Sequence, residues 1–215
     1  RTPELLEQIA ADHPGIGTVQ IDVSDPESIT TAAAEVLAAY PELDGLVAMA
    51  GIMRTEDWRT PAFLADAEAI VTTNLLGPIR LVAAFVEHLQ SRPDATIVTV
   101  SSGLAHAPLR VTPTYNATKA AIHMLSESIR LQLAGTTVSV LEIVPPAVRT
   151  DLMAESPVAM PLDAFVDEVL TLVEEQPDAH EILVETVKFL RYGEVRGDYE
   201  QVVAALNASD PHAAL

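Results

Sequence analysis

The chain has 215 residues, 49% of them hydrophobic, and no run of the roughly 18 apolar residues that a membrane helix needs, which predicts one globular domain with a substantial core and no membrane span. A formal charge of −19 with only 12 lysines and arginines excludes a nucleic-acid partner, because phosphate binding relies on clustered cations. The absence of cysteine excludes disulfides and thiolate metal ligands and fits a reducing, cytoplasmic setting, and no signal peptide is visible.

In chain order, Thr2–Asp12 reads as a short amphipathic helix with Leu5, Leu6 and Ile9 inward, closed by Pro14-Gly15. Val19–Asp22 reads as a strand. Asp25-Pro26-Glu27 is a helix start, with a carboxylate cap, proline at the first helical position and negative charge in the first turn. That helix is expected to bury Ile29, Val36, Leu37 and Tyr40 and to stop at Pro41. Asp44-Gly45 leads into the apolar run Leu46–Ala50, the kind of strand that is covered on both faces of a parallel sheet. After a loop through Trp58, the apolar positions Ile70, Leu75, Leu81, Val82, Phe85 and Leu89 keep to one helical face between about Pro61 and Gln90.

Thr96–Val100 is the next strand, and a helix is predicted from Thr112-Pro113 to Gly135 with Ile122, Leu125, Ile129 and Leu133 as its apolar stripe. Val138–Val144 reads as a strand. Between Thr150 and Pro161 no periodicity is visible, and 151–161 reads as a loop able to close over a substrate. Leu162–Glu175 is helical, Ile182–Val184 is the last strand, and Val202–Leu206 lies in a terminal helix. Strands alternating with helices predict an α/β fold, a doubly wound parallel sheet with helices on both faces.

Chemistry concentrates in Ser101-Ser102-Gly103 and Tyr115-Asn116-Ala117-Thr118-Lys119, where a strand end meets the first turns of a helix. Tyr115 and Lys119 are i and i+4, so their side chains share a helix face. A phenol with an ordinary pKa of about 10 is a poor acid or base at neutral pH, and a neighbouring ammonium lowers that value effectively only in a partly dry pocket. The two serines lie 14 and 13 residues before the tyrosine, and either Ser101 or Ser102 could supply the hydroxyl that joins the pair.

Several weak motifs in one fixed order accompany this run: Asp22-Val23 after one strand, Ala50-Gly51 after the next, Asn74 with Gly77 on a helix, and Pro145, Val148 and Thr150 after a later strand. Together they resemble the short-chain dehydrogenase/reductase family along almost the whole chain. The resemblance implies a Rossmann-type sheet and an oxidoreductase that passes hydride between the nicotinamide of NADP, with NAD the less favoured cofactor, and a small-molecule carbonyl or alcohol. It assigns the proton transfer to Tyr115, a hydrogen bond to the carbonyl oxygen to Ser102, and phenol activation with ribose binding to Lys119; Asn74 would hold a water beside that lysine. It places Asp22 and Val23 at the adenine, Ala50 and Gly51 at the ribose, and Val148 and Thr150 at the nicotinamide carboxamide. Arg1 would stand where a guanidinium can pair with a 2′-phosphate. A homodimer or homotetramer pairing through the Tyr115 helix and its neighbour is also implied.

The departures are informative. The family's Asn-Asn-Ala-Gly is Ala48-Met49-Ala50-Gly51 here, and its Pro-Gly is Pro145-Pro146. Pro145-Pro146, Thr150-Asp151-Leu152 and Val187–Leu190 resemble the branch named for an oxidoreductase of the D-alanine-transfer operon. The family's opening strand, Gly-rich phosphate turn and second strand are not found before Arg1, so residues 1–215 are expected to form one N-terminally incomplete Rossmann-type domain, with the Val19 strand at one edge and the Leu46 strand in the centre. The rival reading is a non-catalytic binding or scaffold protein of the same fold; an epimerase of the family's extended branch is disfavoured by the short region after the Tyr115 helix. Asp22 also reads as a plain helix-flanking carboxylate, His123 as a packing residue, and the six histidines show no metal-ligand spacing. Finally, Pro78 cannot donate to the carbonyl of Asn74, which predicts a disturbed helix at that point.

Overall fold

The computed structural model describes residues 3–150, 152 and 158–208. Four parallel strands, β1 (Gly45–Ala48), β2 (Ala95–Val100), β3 (Val138–Ile143) and β4 (Glu181–Ile182), lie side by side in the order β1-β2-β3-β4. The register pairs Gly45 with Thr96, Ala95 with Val138 and Glu142 with Glu181. Parallel neighbours need crossover connections, and helices supply each one.

Two helices precede β1, α1 (Pro3–Asp12) and α2 (Pro26–Ala39). In α2 the Asp25 side chain accepts from the N–H of Glu27, Pro26 opens the first turn, and the chain leaves the helix at Tyr40, before Pro41. The β1–β2 crossover is one continuous helical run, Pro61–Gln90, comprising a short 3₁₀ turn, α3 (Leu64–Val71), a π-helical turn (Thr72–Leu76) and α4 (Gly77–Gln90). α5 (Pro113–Leu133) joins β2 to β3 and α6 (Leu162–Glu175) joins β3 to β4. The short helices α7 (Lys188–Arg191) and α8 (Gly193–Arg196) and the terminal α9 (Tyr199–Ala208) complete the order.

The core has two parts. Ile29, Ala48, Phe85, Leu89 and Ile97 fill the space between α2, α4 and the sheet. Val144, Val169, Ile182, Val184 and Val187 fill the space under α6 and the β4 end. The run Pro61–Gln90 is long and apolar enough to cross a bilayer, with a mean hydropathy of 1.7 in its most apolar window. In this fold Ile70, Leu81, Phe85 and Leu89 are buried within the domain, so the same apolarity serves the core.

Four expectations are corrected. Val19–Asp22 forms no strand among the described residues: a strand needs a ladder of backbone partners, and none of the four strands lies beside it. For the same reason the Leu46 strand is an edge of the described sheet and not its centre, and Val47 and Met49 are 56% and 67% exposed. Helix α1 forms, yet Leu5 and Ile9 are exposed because nothing among the described residues covers them. Tyr40, expected inside, is also exposed.

Candidate active site

The site assembles at the carboxyl ends of the strands, where an open α/β sheet places its ligands. β2 ends at Val100, and Ser101 and Ser102 follow, both buried. Ser102 has an extended backbone (φ −172°), and its hydroxyl accepts from the N–H of Leu104 and acts on the Tyr115 phenol to lower its pKa. The Ser101 hydroxyl has no hydrogen-bond partner among the described residues. The geometry therefore selects Ser102 as the serine that meets the phenol.

Tyr115 and Lys119 lie on the first turns of α5, and a buried carboxylate holds that helix start: Glu56 accepts from the N–H of Thr114 at 2.8 Å. Thr112, at the cap position, makes no capping bond with its side chain. Lys119 donates to the carbonyl of Val100 at 2.8 Å, and its Nζ stands 5.6 Å from the centroid of the Tyr115 ring. The predicted lowering of the phenol by the lysine is not what the structure gives. Burial dominates and raises the Tyr115 phenol above its ordinary value, opposed by the Ser102 hydrogen bond. Burial also pushes the Lys119 ammonium down to about 8, with Glu142 acting in the other direction.

Asn74 stands in the π-helical turn and is 2% exposed. Its Oδ1 accepts from the N–H of Ile52 and its Nδ2 donates to the carbonyl of Ile52, both at 2.8 Å, with a longer contact of 3.4 Å to Thr118 Oγ1. The helix is disturbed where Pro78 predicts it. The Gly77 N–H turns to the carbonyl of Thr72, five residues back, and Pro78 offers none, so Thr73 and Asn74 both lose their α-helical donors. A Cβ placed on Gly51 would lie 3.4 Å from Asn74 Oδ1 and 3.9 Å from Lys119 Nζ. Gly51 thus leaves open a notch beside the two polar groups.

The remaining candidates fall in different places. Asp22 lies in the turn before α2, where its carboxylate accepts from the N–H and hydroxyl of Ser24; Val23 packs on Gly77. Val148 follows β3 and bridges to Met160, and the N–H of Thr150 donates to the Val148 carbonyl. These contacts pin the neck of the segment read as a substrate loop, of which 151 and 153–157 lie outside the described residues. The Gly103 N–H donates to Pro145, joining the Ser102 turn to the Val148 segment. A Cβ on Gly103 would meet Leu190 at 2.7 Å and Val187 at 2.9 Å, which explains why the Val187–Leu190 segment can close over the serine turn. Arg1 lies outside the described residues.

Sequence profiling matches residues 1–160 to the short chain dehydrogenase family. The chain belongs to that family. This short-chain dehydrogenase is 35% identical to the uncharacterised oxidoreductase DltE of Bacillus subtilis, over 98% of its own length and 85% of that protein's. It is 30% identical to the 2,3-dihydro-2,3-dihydroxybenzoate dehydrogenase of Escherichia coli over 63% of its length and 54% of that enzyme's. Among solved structures, a short chain dehydrogenase from Burkholderia cenocepacia in complex with NADP matches with a TM-score of 0.78 and 25% identity, covering 90% of this chain and 81% of that one. A Burkholderia phymatum relative in complex with NAD matches in fold with a TM-score of 0.71 and 22% identity, over 97% and 84% of the two chains.

Sequence reasoning missed Glu56, Glu142 and a polar cluster. The donor atoms of His106, His123 and Glu181 lie within 4.8 Å of one another, although no spacing in the sequence groups them. Two of them are engaged with neighbours, Glu181 by Arg191, which forks onto both its oxygens at 2.9 Å, and His123, whose Nδ1 is 2.9 Å from Glu142 Oε2, while the buried Nε2 of His106 has no hydrogen-bond partner among the described residues. A carboxylate inside the apolar strand Val138–Ile143 was the visible signal for Glu142; Glu56, in an irregular loop, left none.

Proposed function

We propose that this short-chain dehydrogenase reduces a small carbonyl compound, or oxidises the matching alcohol, with NADP(H) preferred to NAD(H). The observation that carries the reading is the buried Tyr115 phenol, with the buried Ser102 hydroxyl acting to lower its pKa and the Lys119 ammonium 5.6 Å from its ring centroid. When bound, the nicotinamide supplies the hydride to the carbonyl carbon or takes it from the alcohol carbon. Tyr115 Oη gives its proton to the carbonyl oxygen in reduction and takes it back in oxidation, while Ser102 hydrogen-bonds that oxygen. Burial keeps the phenol protonated in the cofactor-free protein; the positive charge that an oxidised nicotinamide would bring, with that of Lys119, would favour phenolate for the oxidation direction.

The notch at Gly51 fits a ribose hydroxyl, with Lys119 as donor and Asn74 as the wall. Ala50 and Gly51 would flank that ribose, Asp22 and Val23 would meet the adenine, and Val148 and Thr150 the carboxamide. The carbonyl of Asn74, freed by Pro78, would anchor the proton path from solvent to Lys119 and Tyr115. The exposed edge of β1 supports the reading of residues 1–215 as part of a Rossmann-type domain whose sheet continues beyond β1. Exposed Met124 and Leu131 on α5 and Leu64 on α3 support pairing of two copies through these helices.

Fluorescence titration with NADPH and NADH tests the cofactor assignment, with Lys119→Ala as the control. Tighter binding of NADPH, weakened about tenfold or more in Lys119→Ala, is the expected result. Binding of neither nucleotide would favour the scaffold reading.

A further inference from the structure

Helix α5 begins without the cap that its own sequence could supply. Thr112 stands at the cap position, but its hydroxyl donates to Asn116 Oδ1 at 3.1 Å and makes no capping bond, and Pro113 brings no N–H. The cap comes instead from 58 residues away, where Glu56 Oε2 accepts from the N–H of Thr114 at 2.8 Å. The Glu56 backbone adds a second tie, its N–H donating to the carbonyl of Val111 at 2.9 Å. One residue thus grips the chain just before the helix and just inside it. Glu56 is buried, and its Oε1 has no hydrogen-bond partner among the described residues. A carboxylate half satisfied in so dry a place is a costly way to cap a helix, since a serine or threonine cap does the same without burying a charge. The other end of this loop is held as firmly. Ile52 is paired through its N–H and its carbonyl with the Asn74 side chain, both at 2.8 Å, beside the notch at Gly51. Residues 51–56 therefore connect the notch to the turn that carries Tyr115.

We propose that Glu56 is a positioning residue for the proton transfer: through Thr114 it holds the Tyr115 turn of α5 against residues 51–56, and so fixes the phenol relative to the notch assigned to the cofactor ribose. The proposal rests on the reading of Tyr115 as the acid and base of the reaction. Glu56 acts through the backbone and not by touching substrate or cofactor. Tyr115 directly follows Thr114, so a first turn that loosens carries the phenol with it, and a misplacement of about 1 Å at a reacting group can cost about 10²-fold in rate. Lys119 is less sensitive, because it lies one turn deeper in the helix and is tied to the carbonyl of Val100 at 2.8 Å. Loss of the clamp should therefore fall on kcat and leave nucleotide binding in place.

The test compares Glu56→Ala, Glu56→Gln and Glu56→Asp in the full chain, with NADPH and a panel of small aldehydes and ketones. Glutamine keeps an oxygen for the Thr114 N–H and drops the charge, whereas aspartate keeps the charge on a stem one methylene shorter. Glu56→Ala should lower kcat about tenfold or more, with KM and NADPH affinity within about twofold of wild type, and Glu56→Gln should recover most of that loss. Glu56→Asp should fall below Glu56→Gln, and it replaces Glu56→Ala if the alanine chain does not fold. Full kcat in the variant that lacks the tether, or a glutamine variant no better than it, overturns the proposal. A readout without turnover keeps the two claims apart. The chain has four tyrosines, and in protein carrying carbon-13 at tyrosine Cζ, Tyr115→Phe assigns the Tyr115 NMR signal. Loss of the tether should shift or broaden that signal and Glu56→Gln should return it toward the wild-type position, while a signal that stays in place without the tether overturns the positioning role. A chain that shows this displacement, yet in wild-type form neither binds NADPH nor reduces any carbonyl of the panel, contradicts the assigned function and leaves the positioning role standing.

Discussion

Asn74 and Ile52 are joined by two hydrogen bonds, side-chain oxygen to backbone N–H and side-chain nitrogen to backbone carbonyl, both 2.8 Å long. This pairing ties the segment after β1 to the π-helical turn and sets the wall of the Gly51 notch. Asn74→Ala leaves both Ile52 groups without these partners and should cost about 1–3 kcal/mol by urea denaturation. Equal stability of the wild-type and Asn74→Ala chains would show that the clamp carries no weight.

Lys119 gives stability a signed pH dependence. Its folded value of about 8 lies below its ordinary 10.5, so between these two values the unfolded chain binds the extra proton and this group's contribution to stability rises with pH. Below about pH 8 the charged lysine is a constant penalty. Lys119→Met removes it, so the variant's gain over wild type should be largest below pH 8 and shrink as pH rises toward 10.5. Urea midpoints measured across that range check the slope; a pH-independent difference would mean that the lysine is not desolvated.

Pro78 maintains the disturbed turn that holds Asn74. Pro78→Ala restores a donor for the Asn74 carbonyl and should stabilise the chain by about 1–3 kcal/mol while slowing turnover. Denaturation together with the solvent isotope effect on turnover checks this. A variant that gains stability, keeps full turnover and shows an unchanged isotope effect would reduce the turn to a packing feature.

The pattern of elements was legible because each rests on local signals. Asp25-Pro26-Glu27 specifies the start of α2, and the apolar stripe with Gly135 brackets α5. The Val19 strand was misread because alternation describes a residue's preference for extended backbone, while pairing depends on a neighbour that lies elsewhere in space. Helix periodicity put Tyr115 and Lys119 on one face, and the resemblance to the short-chain dehydrogenase/reductase family added Ser102 to them. The direction of the phenol's pKa was not legible, since it depends on burial that only the folded chain creates. Glu56 at the start of α5 and the ring around His123 join residues far apart in sequence, and no spacing rule reaches them.

The central claim is that the Tyr115 hydroxyl carries the proton in a nicotinamide-dependent reaction. The direct measurement is the rate of NADPH oxidation with a panel of small aldehydes and ketones, wild type against Tyr115→Phe, after NADPH binding and the unfolding midpoint of each have been matched. The account predicts turnover in the wild-type chain and a loss of about 10²-fold or more in Tyr115→Phe, whose ring still fills the same buried space. Turnover retained in the phenylalanine variant, with binding and stability unchanged, would contradict it.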